Sequence, residues 1–439
     1  MKKHSVLLNE ELCVGCTNCV KNCPTKAIRV HQGKVMIKEE LCIDCAECIR
    51  TCAYHAKYSE TGKLEEMSDY KYPVVMIPPS FYGQFDGIEA LTIKQSLLQL
   101  GFKKVVDVAL AAEALSRKTL DFLNEHSGMF ISSSCPVVVR MIMIMYPELL
   151  GHLIPLKAPV ELMAERVRSE AEAEGIPPED IGIFFITPCP AKNTTIYNPL
   201  GLEKSRIDMT LSVDLVYKAL LKLFKEGDKE KTVHNLQSED MELPYLGINW
   251  GQNGGETQLL KENMQDKALS VSGIHNVKLL LDELSINNIK GIKYFELLAC
   301  NQGCVGGVFN IMNPFQAKYN LLKLRGKHQN WIRQDLDKYN FELESELQQI
   351  QIGKLDNDLE KAMEKLAELE REIEVLPGLD CAACGAPDCR TLAEDIVNGK
   401  ASRNDCIFLL RQQVGSLADR MSELAHTLPP VMKRPRKKT

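Results

Sequence analysis

Residues 295–307 read FELLACNQGCVGG, a short apolar run that ends in two cysteines, Cys300 and Cys304. Three glycines accompany the second cysteine: Gly303, Gly306 and Gly307. Because glycine has no side chain, it lets the backbone approach a bulky neighbour closely. The stretch predicts the end of a strand, where two cysteine thiols and a glycine backbone without side chains face a bulky group.

Two further stretches place a single cysteine after an apolar run. ISSSCPVVVR (131–140) contains Cys135, and FFITPCPAKN (184–193) contains Cys189. An open α/β sheet binds its ligands outside the carboxyl ends of its strands. We therefore expect the fold, rather than a local loop, to bring together the scattered cysteines Cys135, Cys189, Cys300 and Cys304.

Eight cysteines near the N-terminus form two runs with the same x2-x2-x3 spacing. This is the spacing of bacterial ferredoxins, in which the fourth cysteine of each run ligates the other cluster. One [4Fe-4S] cluster is expected on Cys13, Cys16, Cys19 and Cys52. The other is expected on Cys42, Cys45, Cys48 and Cys23. A zinc ribbon or a chance repeat is the alternative interpretation.

The last four cysteines lie in PGLDCAACGAPDC and shortly after it, at Cys381, Cys384, Cys389 and Cys406. This region resembles the small four-cysteine cubane domain of membrane electron-transfer and corrinoid-protein subunits. Four thiolates hold either a cubane or zinc, and we expect a third accessory [4Fe-4S] cluster, with structural zinc as the alternative. All 16 cysteines thus divide into four sets of four.

The composition is that of a soluble protein, with 45% hydrophobic and 26% charged residues among 439. No apolar run reaches the roughly 20 residues of a membrane helix, and the N-terminus has no signal-peptide pattern. We expect a cytoplasmic protein without a membrane partner. Cysteines in a reducing compartment are metal ligands more often than disulfides. The net charge of −6 makes nucleic-acid binding unexpected.

The three stretches with scattered cysteines resemble the signatures of [FeFe]-hydrogenases, T-S-C-C-P, M-P-C-x-x-K-x-x-E and E-x-M-A-C-x-x-G-C. Members of that family carry an H-cluster, a cubane joined through one cysteine sulfur to a two-iron unit with CO, cyanide and a dithiolate bridge. The resemblance implies that Cys135, Cys189 and Cys300 hold the cubane. It also implies that Cys304 both ligates the cubane and bridges to the two-iron unit.

The resemblance extends to polar residues around the two-iron unit. Lys192 matches the lysine that pairs with one cyanide. The stretch VVMIPPS (74–80) matches a strand beside the unit, so Pro78 and Pro79 should line it and Ser80 should donate to the other cyanide. The remaining candidates for cofactor binding are Ser133, Gly303, Gly306 and Gly307.

Two departures from the family patterns concern proton transfer. Ser134 stands where catalytic members carry a proton-relaying cysteine, and Thr195 replaces the glutamate of the second pattern. A thiol with a pKa near about 8.5 can carry a proton, whereas a serine hydroxyl only passes one along a hydrogen bond. Complete cluster ligands with an incomplete proton path resemble the sensory branch of the family, with Ser134 at the interrupted step.

The predicted fold is an α/β H-cluster domain at 68–335, with two lobes around the cofactor. A ferredoxin-like α+β module with two clusters precedes it at 1–62. A helical heptad linker (340–376), a small iron–sulfur domain (377–428) and a basic tail (429–439) follow. The heptad seam from Leu355 to Leu376 predicts either packing on its own domain, a dimeric coiled coil or an intramolecular hairpin.

The leading hypothesis is a slow, sensory [FeFe]-hydrogenase that interconverts H2 with protons and electrons. Electrons would pass through three accessory [4Fe-4S] clusters to a redox partner such as a ferredoxin or a signalling protein. Maturation factors would build the H-cluster, and a homodimer through the 355–376 helix is possible. One alternative is a catalytic hydrogenase with a rerouted proton path. Another is an iron–sulfur carrier or assembly protein that lacks the two-iron unit.

Overall fold

The computed structural model describes residues 4–226, 243–244, 246–264, 267–327, 335–353 and 355–427. Contacts divide the chain into two compact units. The first unit consists of Met1–Leu12 with Glu39–Gln351, and the second of Cys13–Lys38 with Ile352–Thr439. The basic tail predicted at 429–439 lies outside the described residues.

The described strands are short. They are β1 (Val6–Leu8), β2 (Ile28–His31), β3 (Lys34–Ile37), β4 (Lys57–Ser59), β5 (Tyr72–Ile77), β6 (Lys104–Asp107), β7 (Phe130–Ile131), β8 (Ile181–Thr187), β9 (Met209–Ser212), β10 (Ala268–Ser272) and β11 (Tyr294–Leu298). The most deeply buried of these strands are β5, β6, β8, β9 and β11.

The described helices alternate with the strands through most of the first unit. They are α1 (Asn18–Lys21), α2 (Glu47–Arg50), α3 (Pro79–Tyr82), α4 (Ala90–Gln99), α5 (Val108–Glu125), α6 (Pro136–Met145), α7 (Pro159–Ala173), α8 (Pro190–Tyr197), α9 (Val213–Glu226), α10 (Thr257–Met264), α11 (Ile274–Ser285), α12 (Pro314–Lys327), α13 (Leu359–Val375), α14 (Cys389–Val397) and α15 (Ile407–His426). None of them is long and apolar enough to span a bilayer.

The larger sheet of the first unit is parallel, in the order β6-β5-β8-β9. Alternate side chains of β5 enter two different cores, as the period of a strand requires. Val74 and Met76 pack with α5 and α7, whereas Val75 and Ile77 pack with α4 and α9. Helices therefore cover both faces, which explains why β5 and β8 are continuous apolar runs.

A second, smaller parallel sheet has the order β10-β11-β7. Its β7 strand is only two residues long, and it pairs with Tyr294 and Phe295 at the start of β11. Two parallel sheets with helices between them confirm the predicted α/β class for this part of the chain. The carboxyl ends of β7, β8 and β11 lead into the three cysteine-containing stretches.

The second unit joins the β2–β3 hairpin to the C-terminal four-cysteine region. The Val30 amide donates to the Gly385 carbonyl over 2.9 Å, and Gly385 has a φ of +86°. Arg29 Nε lies 2.6 Å from Asp395, and both side chains are only 3% exposed. Lys38 Nζ lies 2.9 Å from the same carboxylate. The predicted 1–62 module is thus divided between the two units, with Cys13–Cys23 in the second and Cys42–Cys52 in the first.

The predicted helical linker over 340–376 is helical only from Leu359, where the Asp358 carboxylate accepts from the Lys361 amide. The earlier part is extended because Phe341 is buried in the core of the first unit, with its carbonyl accepting from the Lys157 amide. Within α13, Leu369 and Ile373 pack in the core of the C-terminal region. The C-terminal half of the predicted seam therefore packs within the chain. A dimer through this helix stays a prediction.

The buried Asp395 carboxylate gives a test of the second unit. Asp395→Ala leaves the Arg29 guanidinium buried without its counter-ion, which we expect to lower the free energy of unfolding by about 3–5 kcal/mol. Glu394→Ala is the control, since that side chain is 40% exposed and pairs with the exposed Arg390. Urea unfolding followed by circular dichroism measures both. Equal effects of the two changes would contradict a structural role for the buried pair.

Candidate metal and active site

The fold brings the four scattered cysteines to a single cavity in the first unit. Cys135 follows β7 and begins α6, and Cys189 follows β8 and begins α8. Cys300 lies just beyond β11, and Cys304 opens a short helical turn after it. Three strand ends thus supply the thiols, as the apolar runs before them predicted.

Three of the four thiols are harder to ionise than a free cysteine. Burial raises the pKa of Cys135 to about 11. Burial also raises the pKa values of Cys189 and Cys304. Thiolate is the form that ligates iron, and a bound metal displaces the proton outright. Four converging thiols fit a cubane, because soft sulfur ligands are those that iron–sulfur clusters use.

Two cations contact these thiols: Arg50 lies against Cys300, and Lys192 lies beside Cys304. The Lys192 Nζ lies 3.9 Å from the Cys304 sulfur and 5.8 Å from the centre of the Phe185 ring. Burial lowers the pKa of Lys192, but the neighbouring cysteines outweigh it and leave the pKa above its usual value. The ammonium therefore remains charged and presents donors to an anionic ligand in the cavity.

Pro78, Pro79 and Ser80 also line this cavity. Ser80 Oγ is fully buried and has no hydrogen-bond partner within the described chain. Leaving a buried hydroxyl unpaired costs about 1–3 kcal/mol. An acceptor on a bound group would remove that penalty, so the orphaned hydroxyl fits the polar two-iron unit that the resemblance implies.

Two glycines bring the backbone against the cavity. A Cβ at Gly303, whose φ is +88°, would lie 2.7 Å from the Asn253 nitrogen. A Cβ at Gly307 would lie 2.3 Å from the Pro188 carbonyl oxygen. Any side chain at either position would therefore displace the backbone that frames Cys304.

Two of the predicted cofactor-binding residues lie outside this cavity. The Ser133 hydroxyl donates to the Leu156 carbonyl over 2.8 Å and lines a neighbouring cavity instead. The Gly306 carbonyl accepts from Arg50 over 2.9 Å. Ser134 does line the cysteine cavity, and its amide donates to Ser132 Oγ.

A pair of buried glutamates beside this cavity was missed by the sequence analysis. Glu256 lines the cavity together with Lys192 and Cys304. Glu296 lies on β11, is fully buried and interacts electrostatically with Glu256. The available signal was an acidic residue inside the apolar run YFELL, because a fully buried glutamate is rare unless it is paired.

The two carboxyls have different surroundings. Glu296 accepts from the Gly254 amide (2.8 Å), from the Thr257 amide (3.0 Å) and from the Thr257 hydroxyl (3.0 Å). Glu256 receives the Tyr294 hydroxyl over 2.9 Å, and burial together with Glu296 raises its pKa to about 8. Two like charges this close do not both ionise readily. The donors around Glu296 favour the anion there, so Glu256 holds the proton at neutral pH.

The C-terminal cysteines lie in the second unit with α13, α14 and α15. Cys406 is buried, and Cys384 and Cys389 pack against the same apolar cluster. The Asp380 carboxylate accepts from the Cys389 amide over 2.8 Å, which fixes the loop that carries this set. Burial raises the pKa of Cys384. The local arrangement fits a metal centre held by this segment.

Together, the fold and the converging thiols define an iron–sulfur protein of the hydrogenase type. The family model "Iron only hydrogenase large subunit, C-terminal domain" matches residues 71–308, more than half of the chain. The chain therefore belongs to the iron-only hydrogenase family. A 4Fe-4S dicluster model matches residues 5–53, and an Fe-S cluster model matches residues 376–408.

Sequence identity to individual members of the family is low. The chain is 24% identical over 258 residues to Iron hydrogenase 1 of Clostridium pasteurianum, an alignment that covers 49% of this chain and 44% of that protein. The chain therefore spans less than half the length of that relative. A solved [FeFe]-hydrogenase HydA(deltaEFG) aligns with a TM-score of 0.45 and 18% identity, covering 62% of this chain and 89% of that one. A variant of HydA1 from Chlamydomonas reinhardtii aligns with a TM-score of 0.45 and 17% identity, covering 62% and 90%.

Cys135 gives the most direct test of the converging thiols. Cys135→Ala removes one of four ligands and should prevent cluster assembly at this cavity, with a loss of roughly four iron atoms per chain. Ser133→Ala is the control, because its hydroxyl bonds only the Leu156 carbonyl and lies outside the cavity. Iron and labile-sulfide assays of the reconstituted protein measure both. A full iron content in Cys135→Ala would show that this cysteine is not a ligand.

Proposed function

We propose that this protein is a slow [FeFe]-hydrogenase of the sensory type in which Glu256, rather than Ser134, handles the proton at the active site. The observation that carries the proposal is the cysteine cavity itself. It is lined by four thiols and a buried lysine, and by a serine and a protonated glutamate where proton transfer would occur. The ligand set supports hydrogen chemistry, and the polar residues support an altered proton route.

When bound, an H-cluster supplies the iron site at which H2 is interconverted with protons and electrons. Cys135, Cys189, Cys300 and Cys304 would hold it. Lys192 and Ser80 would orient its polar ligands, because both lie in the cavity wall with donors that lack a better partner. An electron carrier without the two-iron unit would have no use for either donor, which is why we favour the hydrogenase over the carrier.

Proton handling rests on the two buried glutamates. Glu256 Oε2 accepts the Tyr294 hydroxyl, and Ser132 also hydrogen-bonds to this carboxyl. A carboxyl with a pKa of about 8 holds its proton at neutral pH. It can both donate this proton and take one back, because its pKa lies close to the working pH. Glu296 also interacts with the half-buried Ser270, whose hydroxyl donates to Asn253 over 2.6 Å. These contacts lead from the cavity toward the edge strand β10.

A slow rate suits a regulatory role. A serine hydroxyl at residue 134 cannot act as an acid near neutral pH, and loss of a general acid typically costs about 10²–10⁴-fold in rate. Redox states then accumulate because protons arrive slowly, and a sensor reports the occupancy of a state. The accessory clusters would pass electrons to a ferredoxin or a signalling protein, and maturation factors would supply the two-iron unit.

The pH dependence of turnover tests this proposal. In matured protein, H2 evolution should fall as the pH rises through about 8, because Glu256 loses the proton that it delivers. Glu256→Gln holds no transferable proton and should lower both evolution and uptake by about 10²-fold or more. It should also remove the decline near pH 8.

Glu283→Gln is the control, since Glu283 is an exposed glutamate on α11, away from the cavity. Wild-type turnover as fast as that of catalytic hydrogenases would contradict the slow, sensory role. Unchanged turnover and pH profile in Glu256→Gln would contradict the proton route alone.

A further inference from the structure

Helix α15 carries an apolar stripe that nothing in the described chain covers. Six residues follow the 3-4-3-4-3 spacing of a coiled-coil seam: Ile407, Leu410, Val414, Leu417, Met421 and Leu424. Their exposed fractions are 49%, 43%, 57%, 56%, 70% and 72%. The helix runs over 20 residues, close to three heptads. An ordered apolar stripe of this length in water marks an interaction surface.

The residues along the stripe favour a second copy of the same helix. Ile407, Val414 and Met421 occupy the a positions, two of them β-branched, and leucine occupies every d position. β-Branched residues at a with leucine at d favour a parallel, two-stranded coiled coil. The C-terminal half of α13, by contrast, already packs inside the chain through Leu369 and Ile373.

The flanking positions allow identical helices to pair. In a parallel dimer, each g residue faces the following e residue of the partner. Here Gln413 would face Ala418, and Arg420 would face Ala425. No like charges meet across the seam, so a copy of α15 binds without repulsion. A strongly charged partner helix would find no row of opposite charges beside the apolar stripe.

We propose that two copies of this chain associate through α15 as a parallel, in-register coiled coil. The dimer brings the two C-terminal four-cysteine regions to the same end of the seam, because Ile407 directly follows Cys406. About three heptads make a short interface, so the association should depend on protein concentration in the micromolar range.

Sedimentation equilibrium of the full chain tests this proposal. Wild type should shift toward twice the chain mass of 49.3 kDa as the concentration rises from about 1 to 100 µM. Leu417→Glu places a charge in the seam and should raise the dimer Kd at least about 100-fold. Ser416→Glu, with the same charge one residue away and off the seam, should leave the Kd unchanged.

Orientation is tested by mixing two variants. In a parallel in-register dimer, residue 417 faces its own copy, so Leu417→Glu mixed with Leu417→Lys should restore a dimer that neither forms alone. Circular dichroism and iron content confirm that each variant is folded. A wild type that is monomeric at 100 µM would overturn the proposal, and so would a dimer that Leu417→Glu does not weaken. A dimer that the mixture fails to restore would overturn the parallel register.

A second inference concerns Arg50, which connects two sets of predicted cluster ligands within the first unit. Its Nη1 donates to the Cys45 carbonyl over 3.1 Å and to Glu47 over 2.7 Å. Its Nη2 donates to the Cys300 sulfur over 3.3 Å and to the Gly306 carbonyl over 2.9 Å. Hydrogen bonds thus hold both ends of the guanidinium, with Nη1 on the loop of the ferredoxin-like run and Nη2 on a cysteine of the main cavity.

Hydrogen bonds and positive charge at a ligand sulfur raise the reduction potential of an iron–sulfur cluster. We infer that Arg50 is a positioning residue that raises the potential of the cubane at Cys300, so that electrons pass to it from the cluster beside Cys45. This inference rests on the proposed function, because it requires the cubane at the main cavity.

An electron paramagnetic resonance redox titration of the reconstituted protein tests the role of Arg50. In Arg50→Met the reduction potential should fall for the cubane held by Cys135, Cys189, Cys300 and Cys304. In Arg50→Lys the potential should fall by a smaller amount. Lys318→Met is the control, since Lys318 donates to Gln302 and not to a cysteine. A potential unchanged in Arg50→Met would overturn the inference. If Arg50→Met loads less iron, an unchanged potential in Arg50→Gln would overturn it. Absence of this cubane from wild type would instead overturn the proposed function.

Discussion

Four thiols that belong to three separate stretches of chain must meet at one point, and the first unit is organised by that requirement. Cys135 and Cys189 each stand at the junction of a strand and a helix, and Cys300 follows the strand between β7 and β10. The strands can end together only because both sheets are parallel and covered by helices. Packing of Val74, Val75 and their neighbours into two cores holds those ends in place.

The cavity that results is apolar, so each ionisable group in it is costly and must have a partner. Lys192 remains charged beside the cysteines, and Glu296 is surrounded by amide and hydroxyl donors. Burial and the neighbouring Glu296 raise the pKa of Glu256 to about 8, so this carboxyl retains its proton at neutral pH. A site that holds a lysine cation beside a protonated carboxyl has the means to exchange a proton, even though the residue at 134 is a serine.

Local cysteine spacing was sufficient to predict the cluster-binding segments, and apolar runs were sufficient to place Cys135, Cys189 and Cys300 at strand ends. The glutamate pair was not predicted, because Glu256 and Glu296 are 40 residues apart and meet only through the fold. The extended linker was missed for a similar reason, since burial of Phe341 outweighs the local preference. The heptad spacing of α15 is visible in the sequence. Only the exposure of its apolar residues in the structure distinguishes it from the partly buried seam of α13.

The central claim is that the cavity holds a two-iron unit in addition to a cubane. Infrared spectroscopy of protein produced with hydrogenase maturation factors tests it most directly, because CO and cyanide ligands absorb where protein does not. We expect sharp CO and cyanide bands from wild type and none from Cys304→Ala. A wild-type protein with full cubane iron but without these bands, after maturation that succeeds on a catalytic relative, would contradict the claim and make the protein an iron–sulfur carrier.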